Sequence, residues 1–364
     1  MNKKHIPALT GIRAIAAFVV VIHHLFLGYF KSDYINSVLR ELNVGVNIFF
    51  VLSGFLIWHR YAYNVEFNRK WFKKYIINRI ARIYPMYFLW TTFVMILGFI
   101  ATNSSGKDFI ISYFLNISFL KGFSSDFVYS GISQGWTLSV EELFYLSAPI
   151  LFILNIRKKW PLASIGLIIL SIGFLLNTIF RNFSFFGFFN NLDFIRITTY
   201  FGRFPEFFAG ILLAKLINHN RNSSKVNSKP IFTSIGIICL VFSILIVLPA
   251  FQTENQHYSI QTLSGYIYNV IVFPIFVAMM FYGLIYEKSL VKRILSSKTF
   301  ILLGKSSYAL YLVHWGMTSY LLHRFISNNI FITLISTYLL SIIMWKFYEE
   351  PANKLVRKLS NSWK

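Results

Sequence analysis

The sequence predicts an all-α, polytopic membrane bundle of about ten transmembrane helices with both termini on one side. Three observations carry that expectation. Of the 364 residues, 56% are hydrophobic and only 13% are charged, about half the charged share of a soluble domain. Apolar runs recur at close to the roughly 20 residues that cross a bilayer core as a helix. Lys and Arg gather in alternate connections, as they do when one side of a membrane is cytoplasmic.

The composition also excludes other classes. A chain this apolar, with 40 Phe and 21 Tyr, buries too much to be disordered. The formal charge of +22 suggests nucleic acid in a soluble protein, but here the basic residues lie between apolar runs. Cys239 is the single cysteine, so neither an intrachain disulfide nor a cysteine metal cluster is expected. The first apolar run holds Arg13, His23 and His24 and has no small-residue cleavage pattern behind it, so it reads as a helix and not as a cleaved signal.

In chain order the expected spans lie near residues 8–29, 45–63, 83–102, 139–156, 162–181, 202–218, 231–250, 266–286, 304–324 and 328–348. The apolar stretch 109–120 is too short to cross and reads as an interfacial or re-entrant piece. Ten spans place 26 of the 35 Lys and Arg on the side of the termini and 8 on the other, with Arg13 inside the first helix. The positive-inside bias then puts both ends in the cytoplasm. The polar stretch 218–229 is expected to be a short cytoplasmic loop. The chain reads as one membrane domain, 1–354, followed by a short basic tail, 355–364, with no room after the last span for a further domain.

Ionisable residues within spans are costly and commonly functional. In the first helix Arg13 and His24 are eleven residues apart, which puts them within about 20° on one face and roughly 16 Å apart along the axis. This suits a ligand that enters near Arg13 and reaches inward to His24; the plainer readings are a snorkelling arginine and a packing histidine. His23 points about 100° away and is read as packing. Arg79 and Arg82, three apart on one helical face, form a cationic pair suited to phosphate groups, whereas Arg69, Lys70, Lys73 and Lys74 read as topology charges.

Glu141 and Glu142 stand at the entry of the fourth span. Either one pairs with an intramembrane cation, or they are an acidic helix start favoured by the macrodipole. Arg203 and Glu206 either pair with each other at i, i+3 or put Glu206 into a cavity. His314 lies deep in the ninth span, as a further cavity residue or a packing one. The segment GVNIFFVLSGFLI (45–57) reads as close helix packing or a narrow tunnel wall. No spacing of His with carboxylates suggests zinc, and no metal is expected.

Taken in order, Arg13-x10-His24, FFVLSGFLI, RIARIYP, WTLSVEELFYL, GRFPEFFAGILLA, SSYALYLVHW and YEEPANK resemble the acyltransferase 3 family of integral-membrane acyltransferases from Leu9 to about Lys354. The resemblance implies transfer of an acyl group, commonly acetyl, from cytoplasmic acyl-CoA to a hydroxyl of a carbohydrate on or beyond the outer face. It places the presumed catalytic base on His24 and the motif arginine on Arg13. The pair that engages the donor falls on Arg79 and Arg82, the acidic motif on Glu141 and Glu142, and a later motif glutamate on Glu206. Some relatives append a soluble esterase-like domain, which is not expected here. The expectation is a cation-lined entrance and a deep imidazole in one passage, with acetyl-CoA as donor co-substrate and the bilayer and a carbohydrate acceptor as partners. A transporter or polysaccharide export component is the alternative, although the inverted symmetry many transporters show is not visible.

Overall fold

The computed structural model describes residues 6–102, 105–183, 186–219 and 229–362. Its helices begin with α1 (Pro7–Phe26), α2 (Asp33–Glu41), α3 (Gly45–Tyr61), α4 (Arg69–Thr102), α5 (Gly106–Ile117) and α6 (Trp136–Phe152). There follow α7 (Leu162–Phe180), α8 (Leu192–Thr198), α9 (Tyr200–His219), α10 (Ile231–Phe242), α11 (Leu263–Ile267) and α12 (Phe273–Tyr286). The last are α13 (Leu290–Leu295), α14 (Lys298–Val313), α15 (Met317–Phe325), α16 (Ile330–Met344) and α17 (Glu350–Ser362). Among the described residues the only β pairing outside helices is an isolated bridge between Ser124 and Phe188. Lys3, Lys4, Lys364 and most of the expected loop at 218–229 lie outside the described residues.

Among the described residues, eight helical stretches are long and apolar enough to cross a membrane. The two other expected spans differ for physical reasons. Residues 202–218 fall in α9, whose Arg203, Glu206 and Lys215 make it more polar than a simple span. Residues 304–324 are broken at His314–Gly316, where Gly316 has φ +73°, into α14 and the short α15. The expected interfacial piece is α5, whose 12 residues reach about 18 Å, short of the roughly 30 Å hydrocarbon core. The run expected to start at 83 is the end of a 34-residue helix, α4, which continues through Pro85. Residues 355–362 of the expected tail are helical, in α17.

Two compact units make up the chain, one of Met1–Asn64 with Pro205–Ser307 and one of Val65–Phe204 with Tyr308–Lys364. In the first, α1 packs on α3 and α13, and α10 on α12. A Cβ at Gly54 would fall on the carbonyl oxygen of Phe207, so these two backbones touch because the residue has no side chain. A buried carboxylate closes this unit at each of two places. Glu41 accepts hydrogen bonds from the Ser259 amide (2.8 Å), the Ser259 hydroxyl (2.6 Å) and Gln252 Nε2 (2.6 Å). Glu287 accepts from the Phe232 and Thr233 amides and the Thr233 hydroxyl (2.8, 2.9 and 2.7 Å), satisfying amide groups that the start of α10 would otherwise leave without intrahelical partners.

In the second unit α17 runs against α4, and α5 and α6 pack on the same long helix. The turn before α6 is fastened from two directions. Lys121, fully buried, donates from Nζ to the carbonyls of Ser130 (3.0 Å) and Ile132 (2.9 Å). Gln134 Nε2 donates to the carbonyls of Tyr311 and Leu312 at the end of α14, and the Tyr311 hydroxyl donates back to the Gln134 carbonyl (3.1 Å).

Candidate active site

The candidate residues divide between the two units. Arg13, His24 and Glu206 belong to the first; Arg79, Arg82, Glu141, Glu142, Arg203 and His314 belong to the second.

In α1 both His24 and Arg13 are half-buried. His24 Nδ1 lies 2.9 Å from the carbonyl oxygen of Val20, one turn back. A carbonyl only accepts, so Nδ1 carries the hydrogen of this bond, and in the neutral ring Nε2 carries the lone pair. The backbone therefore selects the tautomer in which Nε2 is the ring's basic nitrogen. His23 is spent on packing: its Nδ1 meets the Leu39 carbonyl at 2.8 Å, and its ring is edge-on to Tyr258 and to His24. Arg13 Nε donates to the Ser307 hydroxyl at 3.3 Å, and its guanidinium carbon lies 5.9 Å from the Phe49 ring centroid. Those contacts tie Arg13 into the helix packing rather than leaving it to snorkel. Glu206 is fully buried.

In the second unit, arginines of α4 meet carboxylates of two other elements. Arg82 Nη1 pairs with Glu349 Oε1 at 2.7 Å and sits 5.9 Å from the Tyr308 ring centroid. Arg79 lies 5.4 Å from the Tyr145 ring centroid, and the Tyr145 hydroxyl donates to Glu141. Glu142 is within electrostatic reach of Arg79 and Glu141, and Glu349, Glu142 and Arg82 all act on the Tyr308 hydroxyl. Arg79, Arg82, Glu141, Glu142 and Glu349 thus form one cluster. The first turn of α6 holds no acidic residue, so Glu141 and Glu142 are not the dipole-favoured helix start that the sequence also allowed. Each arginine has a protein carboxylate nearby, so the cationic pair expected from the sequence lies within a mixed-charge cluster.

Arg203 is buried, donates to the Ile197 carbonyl at 3.1 Å and lies over the Trp136 ring at 5.6 Å. His314 is fully buried with Nδ1 on the carbonyls of Leu310 and Tyr311. These contacts give both residues structural employment. Among the described residues no group of three or more His, Cys, Asp or Glu gathers where a metal ion could sit.

Two residues of weight were missed by sequence reasoning. Glu349 was visible only as a letter of YEEPANK, and nothing in its spacing announced Arg82 as its partner. Lys121 is one of the 8 basic residues that ten spans place opposite the termini, and an apolar surrounding on both sides of it was the available signal.

The acyltransferase-domain family matches residues 6–346 of the chain. The chain belongs to this family. Two bacterial relatives agree over the same extent. A Staphylococcus aureus (strain COL) protein named "Putative O-acetyltransferase SACOL0978" is 24% identical across 96% of this chain and 58% of its own length. The peptidoglycan O-acetyltransferase OatA of Listeria monocytogenes serovar 1/2a (strain ATCC BAA-679 / EGD-e) is 27% identical across 97% of this chain and 56% of its own. An acetyltransferase-named protein of Acidianus two-tailed virus, "Putative acetyltransferase ORF330", is 32% identical over 47% of this chain and 48% of its own length. This acyltransferase-family chain therefore spans somewhat more than half the length of the two bacterial relatives. No solved structure matches it.

Proposed function

We propose that this chain is an integral-membrane O-acetyltransferase that moves an acyl group, acetyl first, from cytoplasmic acyl-CoA to a hydroxyl of a cell-surface or exported carbohydrate, with both termini in the cytoplasm. The observation that carries the reading is His24: within a chain of this family, its tautomer is set by the Val20 carbonyl so that Nε2 is the basic atom. His24 accepts the proton of the attacking hydroxyl as its oxygen bonds to the acyl carbon. The carbon–sulfur bond breaks, and the imidazolium returns the proton to the leaving thiolate. Arg82 and Arg79 bind donor phosphates. Arg82 is 29% exposed and has N–H donors beyond the one used by Glu349, and guanidinium forks suit phosphate oxygens. Arg13, on the same helix as His24, steadies the donor, and Glu206 lines the acceptor's path. Positive-inside charge supports the orientation, and the relative named for peptidoglycan makes a bacterial wall polysaccharide the acceptor to try first.

The experiment is reconstitution of the purified chain in liposomes with isotopically labelled acetyl-CoA and wall-derived glycan. Label appearing on glycan hydroxyls supports the proposal. Movement of glycan across the bilayer with no label incorporated supports the transporter reading and overturns this one.

A further inference from the structure

We propose that Glu349 is a positioning residue that fixes the Arg82 guanidinium so that its remaining N–H edge is presented to the acyl donor's phosphate groups. This rests on the reading of Arg82 as a donor-binding residue.

The pair is asymmetric. The Glu349 side chain is 2% exposed and that of Arg82 is 29% exposed, at 2.7 Å. The carboxylate is thus the buried anchor and the guanidinium the accessible partner. Arginine has five N–H donors in a planar fork, and the bond to Glu349 is made by Nη1, which leaves further donors on the accessible part of the group. Tyr308 holds the same side chain from another direction: its ring lies 5.9 Å from the guanidinium carbon, and its hydroxyl donates to the Ile83 carbonyl at 2.8 Å, fixing the ring to α4 beside Arg82.

Local backbone explains why Glu349 points where it does. Residues Trp345–Glu349 form a π-turn, wider by one residue than an α-turn and often found at functional places in helices. In that turn the Tyr348 hydroxyl donates to the Pro85 carbonyl at 3.3 Å, so Tyr348 and Glu349 both reach back to α4, one to Pro85 and the other to Arg82 three residues before it. An arginine with three or more freely rotating bonds loses much rotamer entropy when it grips a ligand. Glu349 and Tyr308 impose that order in advance, which is how preorganisation strengthens binding.

The test compares the full chain with Glu349→Gln, which keeps shape and one acceptor oxygen, and with Glu349→Ala and Arg82→Ala, all in liposomes. The readouts are apparent KM for acetyl-CoA, inhibition by coenzyme A, kcat and thermal unfolding. Glu349→Gln is expected to raise both the KM and the inhibition constant about tenfold, the lower end of what loss of a charge-assisted hydrogen bond gives, with kcat changed less. A fall in folded yield or kcat with KM unchanged would make Glu349 a purely structural bridge and overturn the inference. A lower KM would make it a competitor of the donor and overturn it as well. Should Arg82→Ala leave the KM unchanged, the donor-binding reading itself fails. A raised KM in Arg82→Ala with none in Glu349→Gln defeats the inference alone.

Discussion

Replacing Lys121 by Met tests whether a buried amine holds the approach to α6. Lys121 has no exposed surface, and burial pulls its amine from the ordinary 10.5 down to about 7. Because the folded-state value is the lower one, the unfolded chain binds more protons between about pH 7 and pH 10.5. Stability therefore rises with pH across that window; the contribution is fully present above the unfolded value and is lost as pH falls through the folded one. At 1.36 kcal/mol per pH unit the fall from 10.5 to about 7 corresponds to about 5 kcal/mol. Lys121→Met removes this dependence. It also removes the donors to the Ser130 and Ile132 carbonyls; the Ile132 carbonyl keeps the Gly135 amide, so the cost is roughly 1–3 kcal/mol for the Ser130 acceptor alone. The assay is thermal unfolding in detergent, followed by tryptophan fluorescence, from about pH 6 to about pH 10. The parent is expected to gain midpoint temperature over that range relative to the variant. Parallel pH profiles would refute the reasoning, because the amine would then be titrating alike in folded and unfolded chains.

Two further substitutions probe the packing and the donor cluster. Gly54→Val drives a side chain into the Phe207 carbonyl and is expected to cost about 1–3 kcal/mol, the usual range for overpacking, read as a lower midpoint temperature; a parental midpoint contradicts the close approach. Arg79→Ala removes the cation within electrostatic reach of Glu142 and is expected to raise the apparent KM for acetyl-CoA more than it lowers kcat, while an unchanged dependence on acetyl-CoA counts against Arg79 as a phosphate ligand.

How much was legible in the sequence depended on which physical signal was in play. Long apolar runs report burial in lipid directly, so the all-helical bundle and most of its spans were readable, including α5 as a piece too short to cross. What periodicity could not show was how a helix continues or breaks: α4 passes through Pro85 because one missing amide is tolerable in a long helix, whereas the expected ninth span stops at His314. Helical spacing placed Arg13 and His24 on one helix but was silent on the Val20 carbonyl that selects the histidine tautomer. Long-range partners were out of reach altogether. Arg82 and Glu349 are 267 residues apart in sequence, and the carbonyl partners of Lys121, at Ser130 and Ile132, follow from a loop path that no periodicity encodes.

The central claim is that the His24 imidazole is the base for acyl transfer. Its most direct test is the turnover of His24→Ala, purified, shown to be folded by its unfolding midpoint, and supplied with labelled acetyl-CoA and glycan at saturation. Loss of a positioned general base predicts a fall in kcat of about 10²–10⁴-fold. A folded His24→Ala chain that labels glycan at the parental rate would contradict the account.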